Sequence, residues 1–233
     1  MVLKIPQHRN ILFQILKDIY SDTNISPFLG FKGGTAAYIF YNLPRFSVDL
    51  DFDLLNESKE EEIFEKIVKI IGNYGRVKEA VKKRFSLFFL LSYDEEAQNI
   101  KVEINRRVFG SQYEVKTYLG VSMLVMKRED MFAHKIMAMY ERMDKANRDI
   151  YDVWFFLKNN WPINSKIVEK RSGMVFKTLL KKCITSLEKG KNKNILQGIG
   201  ELLDEKQKLW VKKHLISDVL FLLKLMLESE VQS

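Results

Sequence analysis

The sequence predicts an α/β (α+β) fold, in which strands and helices share the first half of the chain and helices alone fill the second. Two observations support this prediction. Residues 47–54 alternate strictly between polar and apolar side chains, which is typical of a strand with one buried face. From residue 129 onward, apolar residues recur at the spacing of amphipathic helices.

Composition limits the class of protein. The chain has 233 residues, of which 46% are hydrophobic and 29% charged, with 4 prolines and 11 glycines. This excludes a disordered chain and a fibrous repeat. The N-terminal residues lack the unbroken apolar stretch of a signal peptide, and no apolar run approaches the roughly 20 residues that cross a bilayer. The single Cys183 can form no internal disulfide. We therefore expect a cytoplasmic protein without a membrane span.

The first elements follow in order along the chain. Apolar spacing predicts a helix over residues 9–21, and a short apolar run predicts a strand over 28–31. This strand ends at Gly33 and Gly34, and Thr35 is expected to cap the helix that comes next. The pattern is a strand, a glycine turn and a helix.

The middle of the chain continues the alternation of helices and strands. Ser58 and Glu61 form a capping-box pattern, which predicts a helix that ends near Gly72. Two strand-like runs, 84–93 and 99–109, are separated by a short polar stretch. We expect them to pair as a hairpin.

The second half is predicted to be helical. After a short strand over 118–126, helical spacing begins with residues 129–143 and 148–159 and persists to the C-terminus. The change of pattern predicts two domains, an α/β core over 1–125 and a helical domain over 126–233.

The net charge of +8 is concentrated in one segment. Residues 158–193 contain ten basic and two acidic residues, so they account for the whole excess. Such a segment suits a surface that binds a polyanion, because contacts to phosphates release condensed counterions. The alternative is a solvated helical face. The sequence weights the two equally, because aromatic side chains do not alternate with the basic ones.

One stretch carries a candidate site. Asp49 and Asp51 share a strand face, about 7 Å apart at the backbone, so their oxygens can converge on a hard cation such as Mg²⁺. The turn at Gly33 and Gly34 can bring backbone N–H groups and a helix dipole to a phosphate, and Thr35 adds a hydroxyl. Each signal alone is more often structural, but their order favours a site for a metal-bound triphosphate.

Two segments carry a family resemblance. Residues 32–54, KGGTAAYIFYNLPRFSVDLDFDL, resemble the first motif of the AbiEii-type toxins, which are nucleotidyltransferases of the polymerase-beta-like superfamily. Residues 131–157, MFAHKIMAMYERMDKANRDIYDVWFFL, resemble the later helical motif of that family. The resemblance covers roughly residues 28–157. It implies a polymerase-beta-like core with a small mixed sheet, followed by a helical domain that completes the active-site cleft.

The resemblance also implies roles for individual residues. Asp49 and Asp51 would bind the catalytic metals, two Mg²⁺ ions, and Glu103 is the best candidate for a third carboxylate that activates the attacking hydroxyl. The alternative for Glu103 is an exposed strand residue paired with Lys101 or Arg106. The residues expected to bind the nucleotide are Gly33, Gly34, Thr35, Ser47, Lys135, Arg142, Asp149 and Asp152.

The helical motif leaves one choice open. Lys135 and Arg142 lie two turns apart on one helix face, so both can reach phosphates, and the resemblance assigns Lys135 to the nucleotide and to the catalytic set. Asp149 and Asp152 also share a helix face. They would either contact the nucleotide or form ion pairs within the helical domain, and the sequence gives these two interpretations similar weight.

The expected function is transfer of a nucleoside monophosphate from an NTP to a hydroxyl acceptor. The resemblance implies a toxin of a toxin–antitoxin or phage-defence system, with RNA as the acceptor, in particular the 3′ end of tRNA, and a cognate antitoxin as partner. Two alternatives stay open. One is a nucleotidyltransferase that modifies small molecules such as antibiotics, and the other is a non-catalytic module that binds a nucleotide.

Overall fold

The protein is described by a computed structural model that covers residues 3–143, 146–190 and 194–232. Its chain divides into two compact units. The sheet unit comprises Met1–Val108 and Gln112–Met126, and the helical unit comprises Phe109–Ser111 and Lys127–Ser233. No helix among the described residues combines the length and the apolar character of a membrane span.

The sheet unit is a mixed α/β structure. Its helices are α1 (Ile5–Ser21), α2 (Gly33–Tyr41) and α3 (Glu60–Gly72). Its strands are β1 (Leu29–Lys32), β2 (Asp49–Leu54), β3 (Arg76–Lys82), β4 (Ser86–Ser92), β5 (Ile100–Asn105), β6 (Tyr113–Tyr118) and β7 (Val121–Met126). In the described part of the chain these form one seven-stranded sheet in the order β3-β4-β5-β2-β1-β7-β6.

Strand directions make this a mixed sheet. Strand β2 is parallel to β5, and β1 is parallel to β7. The other neighbouring strands are antiparallel, including the predicted hairpin of β4 and β5. This arrangement confirms the predicted fold class.

Alternation along β2 separates its core from its polar face. Leu50 and Phe52 are fully buried, and Phe31 of β1 packs against Phe52 with ring centroids 5.3 Å apart. Helix α1 covers part of this core with Ile15 and Ile19, which are also fully buried. Burial of the apolar set fixes the register of β2, because a slip of one residue would move every acidic side chain into the core.

Two capping predictions are wrong. Helix α2 begins at Gly33, so Thr35 lies inside its first turn instead of capping it, and its Oγ1 donates to the main-chain carbonyl of Asp49 at 2.5 Å. Helix α3 begins at Glu60, so its N-cap position is Lys59 and not Ser58; Asn56 Oδ1 accepts from the backbone N–H of Ser58 at 3.0 Å, which caps the single 3₁₀ turn over residues 57–59. The Thr35 hydroxyl therefore bonds to another strand, and the Ser58 backbone bonds to a neighbouring side chain, instead of forming the predicted helix caps.

The helical unit packs helices around an aromatic and aliphatic core. Its described helices are α4 (Arg128–Glu141), α5 (Asn147–Lys158), α6 (Ser165–Ser172), α7 (Phe176–Lys189) and α8 (Glu205–Gln232). Helix α5 packs on α4 and α8, and α7 packs on α8. Phe156 and Trp161 stack with ring centroids 4.2 Å apart, and Cys183 is fully buried.

Candidate active site

The acidic face of β2 lies beside a polar face of β5. The parallel register pairs Asp49 with Lys101 and Asp51 with Glu103. Side chains at i and i+2 of a strand point the same way, so these four residues share one face of the sheet. The structure therefore places the three carboxylates that the sequence proposed on one face of the sheet unit, with Lys101 between them.

A lysine lies among these carboxylates. The Nζ atom of Lys101 is 3.0 Å from Glu103 Oε2 and 3.7 Å from the nearest oxygens of Asp49 and Asp51. Burial of Lys101 opposes its charged form, but the three carboxylates outweigh this and raise the pKa of Lys101 above its ordinary value. The ammonium group is thus held as a cation within the cluster.

Glu103 combines the two alternatives that the sequence left open. It stands beside Asp51, and it also pairs with Lys101 and accepts a hydrogen bond from Ser86 Oγ at 2.9 Å. Arg106, the other proposed partner, pairs instead with Glu60 at 2.8 Å.

The donor chemistry of the cluster fits a divalent cation. Carboxylate oxygens are the ligands that Mg²⁺ prefers, and Asp49, Asp51 and Glu103 supply them from adjacent strands. Within the described residues, no three His, Cys, Asp or Glu side chains converge closely enough to form a metal-binding group. The Lys101 ammonium stands between the carboxylates in this arrangement.

Asp53 lies on the same face of β2, but its carboxylate makes structural hydrogen bonds to neighbouring strands. Its carboxylate accepts hydrogen bonds from Lys32 Nζ at 2.5 Å, Asn105 Nδ2 at 2.6 Å and the Tyr113 hydroxyl at 2.6 Å. These contacts tie β2 to β1, β5 and β6. The small size of Gly30 is required here, because a Cβ atom at Gly30 would overlap the Tyr113 ring.

The glycine turn lies directly against the carboxylates. Gly33 has a positive φ of 80°, which favours glycine, and a Cβ atom there would overlap Asp51 Oδ2. A Cβ atom on Gly34 would lie 2.7 Å from Ser47 Oγ and 2.9 Å from Arg45 Nη2. The turn, the Ser47 hydroxyl and the N-terminus of α2 therefore border one small region.

Arg45 is a residue that sequence reasoning missed. Its side chain is buried, its Nη1 donates to the main-chain carbonyl of Phe46 at 2.9 Å, and its Nη2 lies beside Gly34. A buried guanidinium next to a phosphate-type turn adds positive charge where an anion would be held. Its only sequence signal is its place two residues before Ser47.

The helical unit places the other predicted residues in one ion-pair network. Lys135 Nζ lies 2.6 Å from Asp152 Oδ2 and 3.6 Å from Asp149 Oδ1, and Arg142 Nη2 lies 2.8 Å from Asp149 Oδ2. Both aspartates are fully buried, whereas 13% of the Lys135 side chain is exposed. The ion-pair interpretation of the aspartates is therefore present in the structure, and Lys135 is held by both.

The basic segment lies on α6, α7 and their surroundings. Exposed lysines in this part of the helical unit are Lys158, Lys166, Lys170, Lys181, Lys182 and Lys189. Arg171 is instead tied to Glu141, with Nη2 to Oε2 at 2.7 Å. Lys191 and Lys193 fall outside the described residues.

Comparison with known proteins decides the family. The family model for the nucleotidyl transferase AbiEii toxin of type IV toxin–antitoxin systems matches residues 14–205. The chain belongs to the AbiEii family. It is therefore a nucleotidyltransferase of a toxin–antitoxin family, and the resemblance seen in the sequence is confirmed. Membership of this family implies an NTP substrate and an antitoxin partner.

Two solved structures resemble the AbiEii chain. One was solved as a proposed nucleotidyltransferase from H. pylori, and the match spans 98% of this chain and 97% of the H. pylori chain. The other is JHP933 from Helicobacter pylori, which covers 99% of this chain and 97% of its own. Each has a TM-score of 0.59 at 20% identity, so the likeness supports the fold. No curated protein sequence gave a match.

Proposed function

We propose that this chain transfers a nucleoside monophosphate from an NTP to a hydroxyl of RNA, with the 3′ end of tRNA as the acceptor. The observation that supports this most is the parallel register of β2 and β5, which sets Glu103 beside Asp51 next to the turn at Gly33. Carboxylates and a glycine turn at a helix N-terminus are the two parts that nucleotidyl transfer needs: metal ligands and a triphosphate cradle.

The carboxylates would hold the metal ions of the reaction. Asp49, Asp51 and Glu103 are the proposed ligands of two Mg²⁺ ions. When bound, such ions neutralise charge on the phosphates and align the attacking and leaving oxygens.

The triphosphate would lie against the glycine turn. Gly33 and Gly34 supply backbone N–H groups at the N-terminus of α2, and the Ser47 hydroxyl lies beside Gly34. Thr35 contributes through its position in the first turn of α2, while its hydroxyl fixes the carbonyl of Asp49.

The transfer step balances without a further reactant. An acceptor hydroxyl oxygen forms a bond to the α-phosphorus, the bond from that phosphorus to the β-phosphate oxygen breaks, and pyrophosphate leaves. Glu103 is proposed to receive the proton of the hydroxyl, as the third carboxylate of the cluster.

The helical unit would contribute a cation. The Lys135 ammonium is proposed to bind a phosphate of the nucleotide, with Asp152 and Asp149 as positioning residues that hold it at 2.6 and 3.6 Å. Arg142, which is 44% exposed, is proposed to add a second cation. Partial exposure of both side chains supports this role, since a fully buried cation could not reach a ligand.

The basic face of α7 is the proposed RNA surface. Lys181 and Lys182 are exposed, and with Tyr140 they line an open cavity of about 350 Å³. The polar hydroxyls of Thr178, Thr185 and Ser186 complete the lining. We expect the phosphate backbone of the acceptor to follow this face, and we propose the cytoplasm as the compartment of the reaction.

The first test is incorporation of label into RNA. Purified protein is incubated with each labelled NTP, Mg²⁺ and total tRNA, alongside Asp49→Ala and the control Glu95→Gln, whose carboxylate is exposed in the loop between β4 and β5. We expect label on RNA with the wild type and the control, and a loss of about 100-fold or more with Asp49→Ala. Equal incorporation by Asp49→Ala would contradict the proposal.

A second pair of variants tests the acceptor. Lys181→Glu/Lys182→Glu should raise the KM for tRNA and reduce the salt dependence of tRNA binding, with little change for the NTP. The matched control is Lys212→Glu/Lys213→Glu, which makes the same charge change at exposed positions of α8. Equal effects of both pairs would remove α7 from the proposal. Transfer to small molecules alone would favour the antibiotic-type alternative.

A further inference from the structure

Lys101 has a place in the carboxylate cluster that goes beyond the pairing with Glu103 offered by the sequence. Its Nζ atom lies within 4 Å of carboxylate oxygens of Asp49, Asp51 and Glu103. All four side chains come from two adjacent parallel strands, and 26% of the Lys101 side chain is exposed. Lys101 therefore reaches the same oxygens that the proposed metal ions would use.

Electrostatics explains why a cation is held there. Carboxylates that face each other across neighbouring strands repel and destabilise the sheet. Asp51 and Glu103 stand directly opposite each other, and Asp49 is two residues away on the same face. The Lys101 ammonium offsets this repulsion, because it contacts all three groups at 3.0 to 3.7 Å.

We propose that Lys101 is a tethered counter-ion of the carboxylate cluster, and that a divalent cation binds only by displacing its ammonium group. This inference rests on the metal-binding part of the proposed function. A tethered group competes at a high effective concentration, so the affinity of the cluster for a free divalent ion is low. The flexible four-carbon stem and the partial exposure of Lys101 allow the ammonium to swing aside.

The consequence is selective loading. A free ion gains only the carboxylate oxygens and must displace Lys101. An ion that arrives on a triphosphate brings phosphate oxygens as ligands and places the nucleotide against the glycine turn beside Asp51. The cluster should therefore accept metal together with nucleotide much more readily than metal alone.

The test measures Mn²⁺ binding without nucleotide or RNA, by electron paramagnetic resonance of the free ion. The variants are Lys101→Met, the double variant Lys101→Met/Asp51→Asn, and the control Lys78→Met, which removes an exposed lysine of β3. We expect the Kd for Mn²⁺ to fall about tenfold or more in Lys101→Met and to change less than about twofold in Lys78→Met. The gain should disappear in the double variant.

Thermal unfolding supplies a second readout. In EDTA, Lys101→Met should unfold at a lower temperature than the wild type, because the carboxylates lose their counter-ion, and Mn²⁺ should restore most of that loss. The wild type should respond little to Mn²⁺ alone. If Lys101→Met does not fold, Lys101→Gln replaces it, since the amide keeps most of the length and removes the charge.

The outcomes separate this inference from the proposed function. An unchanged or weaker affinity in Lys101→Met, with Mn²⁺ still bound by the wild type, would overturn the counter-ion role and leave the metal site standing. A gain that persists in the double variant would also overturn it, because the ion would then bind elsewhere. The same Mn²⁺ titration is then repeated with NTP present. Absence of Mn²⁺ binding in every variant under both conditions would overturn both the counter-ion role and the proposed metal site.

Discussion

Substitution of Asp152 by asparagine tests the ion-pair network of the helical unit. Asp152 is fully buried, and its Oδ2 lies 2.6 Å from the Nζ atom of Lys135, which is 13% exposed. Asp152→Asn keeps the shape of the side chain but removes its charge. Of the two carboxylates, Lys135 then retains Asp149, at the longer distance of 3.6 Å.

The expected cost follows from burial. Removal of one partner of a buried ion pair leaves an uncompensated charge and typically destabilises by 3–5 kcal/mol. Because Asp149 still offsets part of the Lys135 charge, we expect the lower end, about 3 kcal/mol. With a urea dependence of at most about 3 kcal/mol/M, the unfolding midpoint should fall by about 1 M or more.

Tryptophan fluorescence in urea reports on this unit specifically. The chain has 3 tryptophans, and Trp154, Trp161 and Trp210 all belong to the helical unit. The matched control is Glu205→Gln, which removes the same charge from an exposed pair with Lys208. The Glu205 side chain is 85% exposed, so we expect a change within about 0.5 kcal/mol.

A double-mutant cycle separates the pair from the other contacts of Asp152. Lys135→Met and Asp152→Asn together should destabilise by clearly less than the sum of the single changes, because the double variant contains no unpaired ammonium. If Asp152→Asn behaves like the exposed control, or if the two changes are additive, the reasoning that Asp152 holds Lys135 is wrong.

Two further predictions concern the sheet unit. Gly33→Ala should cost about 1–3 kcal/mol of stability and most of the transferase activity, because alanine is strained at positive φ and its Cβ atom overlaps the Asp51 carboxylate. The control is Gly72→Ala, whose Cβ atom meets no other atom within 4 Å. Equal effects of the two substitutions would contradict the role of Gly33. Burial lowers the pKa of His8 below 6.5, so below that pH the unfolded chain takes up a proton that the folded chain does not, and stability should fall as the pH drops from 7 to 5.5. Calorimetry of the wild type and of His8→Gln between pH 7 and 5.5 checks this, since the unfolding free energy of the variant should depend less on pH.

The strands that the sequence predicted are those with a buried face. Strand β2 shows strict alternation because Leu50 and Phe52 are fully buried on one face, while Asp49 and Asp51 are partly exposed on the other. The two strands that the patterns did not predict, β3 and β6, lie at the two edges of the sheet. An edge strand is exposed and carries charge that discourages pairing with other chains, so its apolar alternation is weak.

The candidate site was predictable where chemistry follows local spacing. Asp49 and Asp51 sit at i and i+2 of one strand, and the glycine turn precedes them in the same motif. Arg45 gave no such signal, because its position beside Gly34 depends on the path of the loop between α2 and β2. The pairing of Asp49 with Lys101 was equally unpredictable from local spacing, since the register of β2 against β5 joins residues about fifty positions apart.

That same register shows why the two interpretations of Glu103 were never exclusive. A parallel pairing that sets Glu103 beside Asp51 must also set Lys101 beside Asp49, because residues two apart on β5 face residues two apart on β2. Glu103 is therefore a member of the carboxylate cluster and a partner of Lys101 at once. Loss of activity on substitution of Glu103 alone would not identify a base, since the change would also release Lys101 toward the two aspartates. Only comparison in the Lys101→Met background separates proton transfer by Glu103 from its hold on the lysine.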